Sequence, residues 1–255
     1  RIAVLDNVIP HEKRPGDMAL IRYFLCSYDG FVAMSSQVEN DLLSVAPQAK
    51  YIRHPHPLYD HFGAKLDKRA ARAALGIPQD SRALLFYGFI RSYKGLDLAL
   101  DALSTLPENY FLVIAGEPYG DFAKYEQQID RLGLRSRVRV DARYISDAET
   151  PAYFSACDAC LLPYKTATQS GITAIAFHFE LPIIATDTGG LRESVEPFGA
   201  GVIAPRPEPD AIRQATVEFF EGDNPIQFAE NIRRFKKDFS WASLAKSMID
   251  FAESL

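Results

Sequence analysis

Short runs of apolar residues alternate with helix-like segments along most of this chain. Two of the runs, residues 83–87 (ALLFY) and 111–115 (FLVIA), are apolar at every position. A strand formed from either run would be buried on both faces, which is typical of parallel sheets covered by helices on both sides. The pattern therefore predicts an α/β protein built on a doubly wound parallel sheet.

The predicted elements follow this alternation. We expect strands at residues 1–8, 30–34, 51–53, 83–88, 110–115, 138–141, 159–163, 182–186 and 201–203. We expect helices at residues 68–75, 95–103, 121–132, 147–156, 172–179, 209–220, 225–239 and 241–255. Asp67 is a suitable N-cap for the first helix and Gly76 a suitable stop.

Two prolines in the segment His54-Pro55-His56-Pro57 mark a domain boundary, after which a new series of strands and helices begins. Residues 1–60 are therefore expected to form the end of one domain and residues 61–255 a second. The chain opens in the middle of a predicted strand, so we expect it to be a fragment.

Composition excludes several classes of protein. The net charge is −5, from 28 Lys and Arg against 33 Asp and Glu, which argues against nucleic acid as the main partner. Apolar runs fall well short of the ~20 residues that a transmembrane helix needs. Three cysteines are too few for a disulfide framework and favour a reducing compartment, so we expect a cytoplasmic location. Cys157 and Cys160 form a C-x-x-C without a second pair, which favours buried packing over redox or metal chemistry.

A first candidate site follows the predicted strand 83–88. The strand ends at Gly88, and the cations Arg91 and Lys94 lie three residues apart before a helix that begins at Gly95. Two cations at the carboxyl edge of a parallel sheet could grip a diphosphate, because arginine supplies a planar fork and lysine a compact charge. The alternative is a pair of solvated surface cations.

A second candidate site follows the predicted strand 159–163. Ser170 is expected to cap the next helix, leaving the amides of Gly171, Ile172 and Thr173 free. The amino-terminal end of a helix is a natural anion site. The alternative is a capped helix without a ligand.

The joint order of these motifs resembles the carboxyl-terminal, donor-binding domain of the group 1 (family 4) glycosyltransferases. Those enzymes have two facing Rossmann-like domains, known as the GT-B fold. The resemblance covers about residues 61–255, whereas residues 1–60 resemble only the end of the amino-terminal, acceptor-side domain. It implies that the last helix, 241–255, packs back toward that domain. The residues that carry the resemblance are Gly88, Arg91, Lys94-Gly95, Ala115-Gly116-Glu117, Asp158, Leu161-Leu162-Pro163, Ser170-Gly171, Leu181 to Thr186, Gly189-Gly190-Leu191, Glu193 and Phe239-Ser240-Trp241.

The resemblance implies a glycosyltransferase that uses a nucleotide-diphosphate-sugar donor, with retention of anomeric configuration and without a metal or other cofactor. The chain has no Asp-x-Asp motif, which agrees with metal independence. Arg91 and Lys94 match the cations that hold the diphosphate and would be catalytic as stabilisers of the leaving group. The other expected donor-binding residues are Gly88, Phe89, Gly116, Glu117, Tyr144, Ile145, Ser170, Gly171, Ile172 and Thr173. The acceptor stays open (a glycan, a lipid or another molecule), as does peripheral contact with the inner face of the membrane through the missing domain.

One departure from the family concerns two glutamates, seven residues apart, that many members carry on the second loop for the sugar and the ribose. Their positions fall here at Ala167 and Ile175, or in the neighbouring register at Thr168 and Ala176, and residues 159–179 contain no acidic side chain. The resemblance also implies a group facing the donor sugar from the first domain.

For that facing group, Asp6 and His11 are both candidates. His54 and His56 are better explained as structural residues near the boundary than as catalytic ones. Two rival functions stay open beside the transferase. The first is a sugar-nucleotide epimerase on the same fold, which would need carboxylates near the sugar. The second is a non-catalytic module that binds a nucleotide or a protein partner.

Overall fold

The computed structural model describes residues 1–9, 15–54, 57–59, 61–167, 170–236 and 240–255. These residues form two compact units, one of Arg1–Leu58 with Lys236–Leu255 and one of Tyr59–Phe235. Each unit contains a sheet whose strands all run parallel, with helices between consecutive strands. The predicted α/β class with parallel sheets is confirmed.

The smaller unit is a three-stranded sheet with helices. Its elements are β1 (Ile2–Leu5), α1 (Asp17–Leu25), β2 (Gly30–Ala33), α2 (Ser36–Val45), β3 (Tyr51–Arg53) and the terminal helix α11 (Trp241–Ser254). The strands lie in the order β1-β2-β3, β1 is shorter than predicted, and α1 and α2 are not among the predicted helices. Leu244 of α11 is buried against Val32 and Met34. A Cβ on Gly30 would lie 2.7 Å from the Phe251 ring, so the absence of a side chain there lets α11 pack closely.

The larger unit is a six-stranded sheet. Its strands are β4 (Arg82–Tyr87), β5 (Tyr110–Ala115), β6 (Val138–Asp141), β7 (Ala159–Leu162), β8 (Ile183–Thr186) and β9 (Gly201–Ala204). They lie in the order β6-β5-β4-β7-β8-β9. Every residue of β5 is buried, as the continuous apolar run predicts. The chain therefore winds from β4 in one direction and returns to continue on its other side, which is the doubly wound arrangement.

Eight helices belong to the larger unit within its described residues, and seven of them match predicted helices to within about four residues at either end. They are α3 (Lys68–Leu75), α4 (Leu96–Ser104), α5 (Ala123–Arg131), α6 (Thr150–Ala156), α7 (Gly171–His178), α8 (Leu191–Val195), α9 (Pro209–Phe220) and α10 (Asn224–Phe235). The helix predicted from 147 begins only at Thr150, and α8 is not among the predicted helices. In the part of the chain that the structure describes, no helix has both the length and the apolar character needed to cross a bilayer.

Helix α3 begins and ends at the predicted residues. The Asp67 side chain accepts a hydrogen bond of 2.9 Å from the Ala70 amide, and Gly76 ends the helix in the left-handed region at φ 64°. Arg72 on this helix is buried and donates to the Asp158 carboxylate at 2.8 Å. Asp158 also accepts from the amide at the second residue of β4 at 2.7 Å. Asp158, one of the residues that carry the family resemblance, therefore has a structural role, because it joins α3 to the start of the central strand β4.

Cys157 and Cys160 are buried free thiols on either side of the start of β7. Burial raises the pKa of both, so neither is a thiolate near neutral pH. Their surroundings agree with the interpretation that they are packing residues.

Candidate functional site

The winding of the larger sheet changes direction between β4 and β7. In open α/β sheets the loops on either side of such a switch point separate, and ligands bind in the crevice at the carboxyl ends of the strands. A cavity of about 260 Å³ lies at this edge. Its lining residues are Phe62, Tyr87, Gly88, Phe89, Lys94, Gly116, Glu117, Tyr144, Ile145, Asp147 and Ile172.

Most of the predicted site residues meet in this cavity. Eight of the twelve line it, namely Gly88, Phe89, Lys94, Gly116, Glu117, Tyr144, Ile145 and Ile172. The lining does not include Arg91, Ser170, Gly171 or Thr173. It does include Phe62, Tyr87 and Asp147, which were not predicted. Tyr87 and Asp147 could have been found from their positions beside Gly88 and Ile145, whereas no sequence signal marks Phe62.

Two glycines allow the backbones of β4 and β5 to approach each other at the cavity. A Cβ on Gly116 would lie 2.0 Å from the carbonyl oxygen of Gly88. Gly88 has φ 88°, and a Cβ on it would lie 3.1 Å from Ile172 Cδ1 and 3.2 Å from Lys94 Nζ. Both glycines therefore have a steric reason to be present, and the absence of a side chain on Gly88 leaves room for Lys94 and for Ile172 in the first turn of α7.

Lys94 is placed by a short 3₁₀ turn, Ser92–Lys94, that ends at Gly95. Gly95 has φ 71°, and a Cβ on it would lie 2.0 Å from the Pro163 carbonyl oxygen, so the turn fits closely against the end of β7. The Lys165 amide donates to the Tyr93 carbonyl at 2.7 Å. Backbone contacts thus join the loops that carry the two predicted motifs.

Lys94 is a buried cation, with 7% of its surface exposed. Its Nζ lies 5.7 Å from the centre of the Tyr164 ring, and no carboxylate in the described part of the chain forms an ion pair with it. Burial, together with a smaller effect of the nearby positive charge of Arg91, lowers the pKa of Lys94 to about 8. An ammonium in this setting would be stabilised by an anion entering the cavity.

Arg91 is not among the residues that line the cavity. It lies in the loop after β4, where that loop contacts the loop after β5. Its guanidinium carbon lies 4.3 Å from the centre of the exposed Tyr119 ring. The Ile90 amide donates to the Glu117 carbonyl at 2.8 Å, and the Tyr119 amide donates back to the Ile90 carbonyl at 3.0 Å. The loops after β4 and β5 are therefore joined, and Arg91 stacks on an aromatic ring.

Ser170 caps α7 as predicted, but the expectation of three free amides is wrong. The Ile172 amide donates to Ser170 Oγ at 3.3 Å, and the Thr173 amide donates to the Ser170 carbonyl at 3.0 Å. The physical reason is that a serine cap satisfies the first amides of its own helix. Within the described residues, the Gly171 amide is the one of the three without a hydrogen bond. Ser170 Oγ also lies 3.1 Å from the Tyr164 hydroxyl, whose ring contacts Lys94.

The positions of the missing glutamates carry no substitute on α7. Ile175 and Ala176 are buried in the core, and Thr168 lies outside the described residues. The acidic side chains in the cavity lining are Glu117 and Asp147, which come from the loops after β5 and β6.

Among the histidine and aspartate candidates near the first domain, His11 and His56 lie outside the described residues. His54 is buried, with Nε2 3.3 Å from Ser243 Oγ within the smaller unit, which agrees with a structural role. Asp6 is exposed in that same unit.

Comparison with known proteins bears on this arrangement. The family model for glycosyl transferases group 1 matches residues 67–249. D-inositol 3-phosphate glycosyltransferase 1 of Catenulispora acidiphila is 25% identical over 247 residues, which is 91% of this chain and 54% of that protein. The corresponding enzyme of Corynebacterium urealyticum is 25% identical over 194 residues, covering 72% of this chain and 46% of that protein. The chain spans about half the length of these curated relatives.

Solved structures show the same fold. Anabaena Alr3699/HepE in complex with UDP superposes with a TM-score of 0.83 at 19% identity, covering 100% of this chain and 72% of that one. Sucrose-phosphate synthase from Thermosynechococcus elongatus gives a TM-score of 0.79 at 20% identity, covering 95% and 62%. At these identities the likeness concerns the fold, which is that of GT-B glycosyltransferases. With the family model matching well over half of its residues, the chain belongs to the group 1 glycosyl transferases.

Proposed function

We propose that this chain carries the donor site of a retaining, metal-independent glycosyltransferase, which moves a sugar from a nucleotide-diphosphate donor to a hydroxyl of a glycan or lipid acceptor. The observation that carries the proposal is the buried Lys94 ammonium at the switch point of the sheet, without a carboxylate partner in the described part of the chain. A cation in such a place is complementary to a diphosphate.

The chemistry follows from where charge develops. When the bond between the sugar and the diphosphate breaks, negative charge grows on the departing phosphate oxygens. Lys94 in the cavity and the nearby Arg91 would stabilise that charge more strongly in the transition state than in the bound donor. Loss of one such contact typically lowers the rate by about 10²- to 10³-fold.

A second candidate, sugar-nucleotide epimerisation, is favoured by one observation. The cavity lining contains two carboxylates, Glu117 and Asp147, which could act as acid and base near a sugar. Product analysis separates the two reactions, since a transferase releases the nucleoside diphosphate and forms a glycoside, whereas an epimerase returns the nucleotide attached to an altered sugar. The match to the group 1 transferase family supports the first outcome.

The binding half of the proposal is tested with UDP and GDP in thermal unfolding of the full chain. Saturation at about 100 times Kd stabilises a protein by about 2.7 kcal/mol, which would raise its melting temperature measurably. We expect the double variant Arg91→Ala, Lys94→Ala to lose this rise. The matched control is Lys124→Ala with Arg131→Ala, which removes the same charge outside the cavity and should keep the rise. A rise that survives the first pair of substitutions would place the phosphate site elsewhere.

A further inference from the structure

The cavity that holds Lys94 is also lined by a carboxylate, Asp147, on the loop between β6 and α6. A carboxylate beside a diphosphate would repel it, so Asp147 must face another part of the ligand. We propose that Asp147 binds the vicinal hydroxyls of the nucleotide's ribose and so determines selectivity for ribonucleotide donors. The inference rests on the proposed function, because it assumes that the cavity takes a nucleoside diphosphate.

The loop that carries Asp147 is braced by a different acid, Glu149. The Glu149 carboxylate accepts hydrogen bonds from the Ser146 amide at 3.1 Å and the Ser146 hydroxyl at 2.7 Å, and it pairs with Arg143. These contacts, led by the one with Arg143, lower the pKa of Glu149 to about 2. Thr150 Oγ1, which is fully buried, lies 2.7 Å from the Tyr87 hydroxyl. The loop is therefore held on both sides of Asp147 without using its carboxylate.

Asp147 itself stays accessible. Its side chain is 61% exposed, and its ion pair within the described residues is a long one, with His61 Nε2 at 3.7 Å. An ionised carboxylate only accepts hydrogen bonds, so its ligand must supply donors. A sugar nucleotide offers donors as hydroxyls and base N–H groups but none on its diphosphate. Two adjacent hydroxyls can donate to the two oxygens of one carboxylate.

The position of Asp147 on its loop points to the ribose. Tyr144, three residues earlier, also lines the cavity and is 65% exposed, so its ring is open for a base to stack on. Lys94 lines the cavity from the loop after β4 and would take the diphosphate. The ribose lies between base and diphosphate in every nucleotide. A carboxylate on a neighbouring strand-end loop binds ribose hydroxyls in other doubly wound sheets, which shows that the chemistry suits this architecture.

The test measures binding of UDP, GDP, their 2′,3′-dideoxy counterparts and inorganic pyrophosphate by calorimetry. We expect Asp147→Asn to weaken the better-bound of UDP and GDP by roughly 10- to 100-fold, because hydrogen bonds to a charged group are lost. The affinity for the dideoxy counterpart of that nucleotide should change by less than about 2-fold, since this ligand lacks the ribose hydroxyls. Pyrophosphate should bind as before or slightly more tightly, because a repelling charge has gone. Asp80→Asn, at an exposed carboxylate outside the cavity, is the matched control and should change nothing.

Three results would overturn the assignment. If Asp147→Asn weakened binding of the ribonucleotide and of its dideoxy form equally, Asp147 would act through the structure of the loop. If the variant bound both more tightly, Asp147 would only repel the phosphates. If Glu117→Gln weakened binding of the ribonucleotide but not of its dideoxy form, while Asp147→Asn did not, then Glu117 would be the residue that binds the ribose hydroxyls. In each case the wild-type protein still binds nucleotide, so the proposed function stands. If the wild type binds neither UDP nor GDP, the proposed function fails and this inference fails with it.

Discussion

Replacement of the Lys94 ammonium by an apolar group should make the protein more stable and less able to bind its ligand. The substitution Lys94→Met suits this test, because methionine keeps a long unbranched side chain and removes the charge. Lys94 is 7% exposed, so most of its side chain packs inside the protein and its ammonium is poorly hydrated. The variant keeps most of the packing and removes the cost of burying the charge.

The magnitude follows from the pKa of Lys94, which burial lowers from 10.5 to about 8. At 1.36 kcal/mol per pKa unit, the charged form costs the folded state about 3 kcal/mol, as an order of magnitude. Because the folded pKa is the lower one, the unfolded chain binds more protons between pH 8 and 10.5, and wild-type stability rises with pH in that window. The free-energy cost of burying the Lys94 charge is present in full below pH 8 and disappears above pH 10.5.

The assay is urea unfolding at pH 7 and pH 9.5, with and without UDP. Without nucleotide we expect Lys94→Met to exceed the wild type by up to about 3 kcal/mol at pH 7, with the difference roughly halved at pH 9.5. With UDP at pH 7 the wild type should gain stability and the variant should not. Lys124→Met, at an exposed lysine, is the matched control and should show neither effect.

The reasoning would be refuted by a Lys94→Met variant that is less stable than the wild type at pH 7 without nucleotide. A stability difference that does not depend on pH would also contradict it, since the difference is attributed to a titrating group. Continued stabilisation of the variant by UDP would show that Lys94 is not the cation that receives the diphosphate.

Two further substitutions test the geometry around the cavity. Gly116→Ala should destabilise the protein by about 2–4 kcal/mol in urea unfolding, because its Cβ would lie 2.0 Å from the Gly88 carbonyl oxygen and no side chain can yield there; an unchanged midpoint would contradict this. Tyr119→Leu should weaken UDP binding about 2- to 5-fold in calorimetry, because it removes the ring on which Arg91 stacks. Tyr119→Phe keeps a ring and should bind as the wild type, so equal losses in both variants would argue against stacking.

Much of the fold and a large part of the site could be predicted from local patterns. Strands β4 and β5 could be predicted because a strand that is apolar on both faces must be buried by other elements on both sides. The positions of Gly88 and Lys94 followed, since the end of a buried strand and the start of the next helix fix where the loop between them must lie. Helices α1 and α2 were not predicted, although the Ser35 side chain accepts a hydrogen bond from the Val38 amide at 3.2 Å and so marks the start of α2.

Other features of the site depend on contacts between distant parts of the chain. The same sequence pattern describes Arg91 and Lys94, yet one stacks at the surface on Tyr119 and the other is buried beside Tyr164. The sequence places Asp147 close to the predicted site residue Ile145, but it does not show that the loop is held by Glu149 and Thr150, which leaves the Asp147 carboxylate exposed.

Local sequence patterns were enough to predict the parallel α/β architecture, the strand-end loops and the family, because burial of strand faces and capping of helices are local properties that such patterns express. Which charged side chains lie near one another depends on the folded arrangement of distant segments. Lys94 is buried among Gly88 at the end of β4, Tyr164 after β7 and Ile172 of α7, and these neighbours are far apart along the chain. No carboxylate of the described residues forms an ion pair with it, which is why we propose it as the residue that receives the diphosphate.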